Sequence, residues 1–234
     1  MNLAIIGAGE STRLKAEGLK SSKHLIKIND EYLIERIIRI AKNNDTEKIY
    51  CIINSHEPEL KNYLLKTNFG IPLELVIKDT ISSMHSLFAL APYLIDKPFC
   101  LATTDSVFLE REFSEFMKYS ISQTETDGIL AITKFIDDEK PLCVLINENN
   151  TILEFSDFKE GYSWATGGIY YFTPNIFNEI ESASAAGILR LRNFFRHLLN
   201  NGYLLRGFSF SKIIDVDHVS DIKKAEEFII SEEH

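Results

Sequence analysis

The chain has 234 residues, 45% of them hydrophobic, and a formal net charge of −9. Such a length can bury one large core; the acidic balance and the absence of any basic run exclude a nucleic-acid backbone as a natural partner. No stretch of eighteen apolar residues occurs, and the first residues lack the basic start and long apolar run of a leader, so neither membrane nor export is expected. Cys51, Cys100 and Cys143 each lie in an apolar run without metal-ligand spacing. They read as buried free thiols of a reducing compartment, which points to the cytoplasm.

In chain order, the apolar run over 3–6 predicts a buried strand, stopped by the small residues Gly7, Ala8 and Gly9. Two cations follow, Arg13 and Lys23, ten residues apart. A helix is predicted over 32–43, with Leu33, Ile34, Ile37, Ile38 and Ala41 on one face. Strands at 49–53, 73–77 and 99–102 alternate with helices at 57–66 and 82–93. Continuously apolar strands separated by helices imply a mostly parallel sheet covered on both sides, a three-layer α/β/α Rossmann-like arrangement. The second half changes character. After a helix over 112–121, strands are predicted at 128–135, 142–146, 151–155 and 165–172, with 151–155 pairing back on 142–146. Helices at 174–181 and 189–200, a strand near 204–208, the run Ile213-Ile214-Asp215 and a helix over 220–230 complete the chain. The expectation is one domain over 1–234, its antiparallel-rich second part covering the site.

Several residues stand out chemically. A strand, a small-residue loop and two fixed cations are what a triphosphate site requires, and equally what a tight strand-to-helix turn contains. Asp105 falls just past the carboxyl end of the strand at 99–102, where open parallel sheets place ligands. It suits Mg²⁺, which takes one or two carboxylates plus substrate phosphates, or it caps a turn. Asp215 and Asp217 flank Val216, so on an extended segment both carboxylates point to one side. The alternative is that Asp217 or Ser220 starts the last helix. Arg190, Arg192 and Arg196 form either a solvated face or a phosphate clamp, and His24, His56, His197 and His218 form no nucleophile pair or zinc set.

The segment Ala8-Gly9-Glu10-Ser11-Thr12-Arg13-Leu14 with Lys23 resembles the amino-terminal signature of sugar-phosphate nucleotidyltransferases. Ser11 stands where that family carries a second loop glycine, and Ser22 where it carries proline. Thr103-Thr104-Asp105, Gly167-Gly168-Ile169-Tyr170 and Asp215-Val216-Asp217 through Ala225 fit the later motifs in order. The resemblance implies a nucleotidyltransferase fold in which 1–110 binds an NTP and 111–234 a small phosphorylated acceptor. It implies catalytic roles for Arg13 and Lys23, and nucleotide contacts from Ala8, Gly9, Glu10, Ser11, Thr12, Ser83, Ser86 and Thr104. It implies acceptor contacts from Lys159 and Gly168, and Mg²⁺ on Asp105, Asp215 and Asp217. The implied reaction joins an NTP to a sugar phosphate or similar phosphomonoester with release of pyrophosphate. A phosphocholine-type cytidylyltransferase and an inactive nucleotide-sugar-binding domain of the same fold stay open, as does self-association. A dinucleotide oxidoreductase is a further reading, from Gly7-x-Gly9 and Asp30, but it has Thr12 at the third glycine position and leaves Asp105 and Asp215 unexplained.

Overall fold

The computed structural model describes residues 1–7, 12–19 and 21–232, and of Thr12 only the backbone. Ala8, Gly9, Glu10 and Ser11, expected to touch the nucleotide, lie outside the described residues, as does the Thr12 side chain. The elements are β1 (Asn2–Gly7), α1 (Thr12–Ala16), a 3-10 turn (Lys23–Leu25), β2 (Lys27–Ile28), β3 (Glu31–Tyr32), α2 (Leu33–Lys42), β4 (Lys48–Ile53), α3 (Pro58–Lys66), β5 (Leu73–Ile77), α4 (Ser83–Leu94), β6 (Phe99–Thr103), β7 (Ser106–Val107) and α5 (Glu110–Ser122). The chain continues through β8 (Gly128–Thr133), β9 (Cys143–Ile146), β10 (Ile152–Ser156), β11 (Trp164–Phe172), a 3-10 turn (Pro174–Glu179), α6 (Ile180–Ala185), α7 (Leu191–Asn200), β12 (Leu205–Phe210), β13 (Ile214–Asp215) and α8 (Val219–Glu232).

β1 is central because it is apolar on both faces. Ala4 and Ile6 pack toward α4, α6 and α7, with Met84, Leu87, Ala183 and Phe194. Leu3 and Ile5 point the other way, among Ile37, Leu60 and Phe113 of α2, α3 and α5. Fully burying each of the leucine and isoleucine side chains stabilises the fold by roughly 1.5–3 kcal/mol. With one apolar layer required on each side of the strand, the run cannot alternate with polar residues, which is why 3–6 is continuously hydrophobic.

The parallel half runs β5-β4-β1-β6, with Ile5 paired to Cys51 on one side and Ala102 on the other. β11 then joins β6 antiparallel, β8 joins β11 antiparallel, and β12 pairs parallel to β8. The β9–β10 hairpin attaches to the start of β11. The expected three-layer, mostly parallel sheet with an antiparallel-rich second part is therefore the observed one. The segment expected as a helix over 174–181 is instead a 3-10 turn followed by the short α6. The short pairs β2–β3 and β7–β13, the helix α1 and the turn at Lys23–Leu25 carry too little periodicity to be read from sequence. Yet these small pieces surround the site. They rest on a third apolar cluster that joins Leu14, Ile26, Val107, Ile214, Ala225 and Phe228. Among the described residues no helix is long and apolar enough to cross a membrane, and Cys51, Cys100 and Cys143 are free and buried.

Candidate active site

Parallel β1 and β6 end side by side, with Ile6 opposite Thr103. The chain leaving β6 turns through Thr104 and Asp105 into β7, and β7 pairs antiparallel with β13 so that Ser106 lies opposite Asp215. The Val216 N–H donates to the Asp105 carbonyl at 2.9 Å, and the Ser106 hydroxyl donates to Asp215 Oδ1 at 2.7 Å. This two-residue ribbon brings together carboxylates 110 positions apart in sequence.

Lys23 rises from the 3-10 turn into the middle of them. Its Nζ lies 2.5 Å from Asp105 Oδ2 and 2.7 Å from Asp217 Oδ1, and only 11% of the side chain is exposed. Burial alone would pull the Lys23 pKa down; the two carboxylates outweigh it and hold the ammonium charged. Burial likewise pushes the Asp105 carboxyl up, but Lys23 reverses this and keeps it below the usual carboxylate range. Asp215 has no such relief. Burial, then repulsion from Asp105, raises it well above that range, and no lysine or arginine among the described residues pairs with it. A carboxylate beside another carboxylate, bonded to a hydroxyl and lacking a cation of its own, suits a divalent ion. Asp105 and Asp215 thus form a two-carboxylate donor set of the kind Mg²⁺ accepts.

Asp217 is differently employed. Its Oδ1 receives Lys23 and its Oδ2 receives Arg13 Nη1, each at 2.7 Å. Both oxygens are engaged by cations, and among the described residues no group of three His, Cys, Asp or Glu side chains is disposed to hold a metal ion. Asp217, expected on the metal with Asp105 and Asp215, is in this structure the shared partner of Arg13 and Lys23, as Asp105 is a partner of Lys23. Nor does it start the last helix. That task falls to Asp221, whose carboxylate accepts the N–H groups of His218 at 2.9 Å and Asp217 at 3.3 Å.

Three clefts meet here. One of 420 Å³ is bounded by Ile6, Lys23, Asn54, Ser83, Thr104 and Asp105. A second of 480 Å³ includes Asp105, Asp215, Gly168, Tyr170, Lys140 and Arg190. The third, of 230 Å³, includes Arg13, Asp215, Asp217 and the acidic segment at 137–139. Gly168 is a residue that must be glycine: its φ is +73°, and a Cβ would overlap Ser106 Oγ and Thr103 Oγ1. Its small size lets β11 pass against the loop carrying Asp105, at a break in the β11–β8 register.

Ser83 lies on the wall of the first cleft, but Ser86 does not. It is fully buried one turn into α4, its hydroxyl bonded to Thr80 Oγ1 at 2.6 Å and to the Ser82 carbonyl at 3.3 Å. The helix turns it inward, so the expected nucleotide contact is corrected to a structural one. Lys159 is exposed on the segment after β10 and lines none of the three clefts, although its charge acts on Asp137 of the third. Thr104 borders the first cleft with its hydroxyl held by His24 Nδ1. Burial pushes the His24 pKa down, leaving a neutral imidazole beside Lys23. His24 and Asn54 on the first cleft and Lys140 on the second belong to none of the sequence motifs. Asn54 directly follows β4, so the strand-end rule that singles out Asp105 also finds Asn54.

The fold and site define a three-layer α/β protein with charged clefts at the carboxyl edge of its parallel strands. The chain belongs to the nucleotidyl transferase family, whose model matches residues 3–232. The bifunctional protein GlmU of Thermodesulfovibrio yellowstonii is 23% identical over 222 residues, 91% of this chain and 48% of that protein. A probable molybdenum cofactor guanylyltransferase of Clostridium perfringens is 28% identical over 149 residues, 62% of this chain and 65% of that protein. The chain thus spans about half to two thirds of these curated relatives. Two solved structures share the fold. The inositol-1-phosphate CTP transferase from T. maritima has a TM-score of 0.81 at 20% identity, covering 97% of both chains. A putative glucose-1-phosphate thymidylyltransferase from Bacillus anthracis has a TM-score of 0.84 at 20% identity, covering 97% of this chain and 94% of that one.

Proposed function

We propose that the protein is an enzyme that joins an NTP to a sugar phosphate or similar phosphomonoester, releasing pyrophosphate and giving an NDP-sugar. The single observation that carries this reading is Lys23, fixed between Asp105 and Asp217 where the clefts meet. An oxygen of the acceptor phosphate attacks the α-phosphorus of the NTP. The bond between that phosphorus and the bridging oxygen breaks, and pyrophosphate leaves with the electron pair. No side chain need be covalently modified, so catalysis is positioning and charge neutralisation.

In this reading the first cleft, built within 1–110, takes the nucleotide, with Ser83 and Thr104 on its wall. The second cleft, built mostly by 111–234, takes the acceptor, with Gly168 on its wall. Arg13 holds the departing pyrophosphate, and Lys23 offsets charge between the two substrates. Asp105 and Asp215 would hold Mg²⁺, which when bound supplies neutralisation of phosphate charge. The three buried thiols suit the cytoplasm.

The test is pyrophosphate release from each of the common NTPs with glucose 1-phosphate and inositol 1-phosphate, the compounds named for the two structural relatives. Turnover with at least one pair, lost in EDTA and restored by Mg²⁺, is expected. Full turnover in chelator sinks the metal assignment; no release with any pair leaves the inactive-homologue reading.

A further inference from the structure

We propose that the acceptor carries a second acidic group besides its reacting phosphate, and that Lys140 and Arg190 hold it. This rests on the nucleotidyl-transfer reading above. The three aspartates lie where the clefts meet: Asp105 borders the first and second, Asp215 and Asp217 the second and third. A reacting phosphate must sit at that junction. Lys140 and Arg190 border the second cleft alone, so they flank the part of the acceptor that points away from the reaction.

Arg192 builds this wall. Its guanidinium bonds the Lys140 carbonyl at 2.8 Å and Asp157 at 2.8 Å, tying the segment of Lys140 to the start of α7, where Arg190 sits. Arg192 is thereby spent, and its neighbour Arg196 shares Asp157 at 3.0 Å. Lys140 and Arg190 are not spent. No carboxylate among the described residues forms an ion pair with either side chain. Asp138 borders the same cleft, but its Oδ1 accepts the Lys140 backbone N–H at 3.0 Å.

Two cations without counter-ions, on one wall of a cleft in a chain of net charge −9, are matched by an anion. A carboxylate or a second phosphate can take a two-pronged bond from the guanidinium and a third from the ammonium. A neutral sugar leaves both cations unused. A quaternary ammonium such as choline meets like charge, so the wall selects against phosphocholine. Leu142, Leu191 and Phe195 supply apolar lining for the carbon skeleton.

The experiment measures calorimetric dissociation constants of glucuronic acid 1-phosphate, glucose 1,6-bisphosphate, glucose 1-phosphate and phosphocholine for the full chain with Mg²⁺, in parallel with pyrophosphate release. The two acids separate carboxylate from phosphate recognition. At least one is expected to bind about tenfold or more tightly than glucose 1-phosphate, the usual strength of a charge-assisted contact. That preference should vanish in Lys140→Ala/Arg190→Ala, whose exposed positions leave the thermal midpoint unchanged. Equal affinities, no binding of any of the four, or a preference surviving in the double variant overturns the proposal. Absence of turnover with every acceptor, while the acid preference persists, counts instead against the nucleotidyl-transfer reading.

Discussion

Asp217 and Lys23 form an ion pair at 2.7 Å, and the opposite oxygen of the same carboxylate reaches Arg13 at the same distance. The two cations proposed for the phosphates thus share one internal carboxylate, with Asp105 as a second partner of Lys23 and Glu139 as a second partner of Arg13, and an incoming triphosphate competes with these carboxylates. Asp217→Asn keeps the shape and removes the shared competitor. Its expected effect is tighter inhibition by pyrophosphate, by about fivefold at most for a partly exposed pair, together with a lower kcat because product leaves more slowly. Weaker pyrophosphate inhibition accompanied by a raised Mg²⁺ requirement would return Asp217 to the metal.

Asp215 is a buried carboxyl beside Asp105. Its carboxyl is raised in the folded protein by burial, then by Asp105. The folded state therefore holds this proton more tightly than the unfolded chain does. Any stability from the protonated form is complete below the unfolded pKa, about 4, and is lost as pH rises toward neutrality. In EDTA, Asp215→Asn should melt higher than wild type at pH 7, with the gap shrinking toward pH 4. It should also be inactive. Adding Mg²⁺ should raise the wild-type midpoint at pH 7 and leave the variant unmoved. A variant less stable than wild type at pH 7 in EDTA would contradict this account.

Gly168→Ala tests the close passage of β11. The positive φ costs an alanine about 1–2 kcal/mol, and the overlap with Ser106 and Thr103 adds to it. Urea denaturation should show a loss of about 2 kcal/mol or more. Turnover per folded molecule should fall too, because Ser106 bonds Asp215. An unchanged urea midpoint would mean that β11 accommodates the methyl group.

Ser83 and Ser86 should separate cleanly. Ser86→Ala removes two internal hydrogen bonds at a cost of about 1 kcal/mol and leaves the KM for NTP alone. Ser83→Ala should raise that KM with little change in the thermal midpoint. The reverse pattern would reinstate Ser86 as the nucleotide contact.

The sequence showed the sheet well because its strands obey a strong rule. A strand covered on both sides must be apolar throughout, and 3–6, 49–53 and 99–102 are. Asp105 was legible because it follows such a strand. Asp215 was legible only as half of a pair of acids, since its partner across the ribbon is 109 positions back in Ser106. Two-residue strands have no periodicity to detect. Ser86 was misread because one hydroxyl on a helix looks like another until the helix is rotated against its sheet. Asp217 is ambiguous in sequence because carboxylates attract metals and cations alike, and the approach of Arg13 and Lys23 becomes visible only in the structure. Arg190 stands out in the sequence only as one of three arginines that make either a solvated face or a phosphate clamp, and Lys140 not at all, because the Arg192 bridge that relates the two spans 52 positions.

The ribbon of Ser106–Val107 against Ile214–Asp215 joins segments far apart in the chain. Closing a loop of that length is an entropic cost met late, after local helices and the parallel half have formed. A chain still emerging from the ribosome, or one clipped before β13, keeps Lys23 and Asp105 but lacks the second carboxylate and the anion that tethers Arg13. Under the proposed reaction such a chain should therefore release no pyrophosphate.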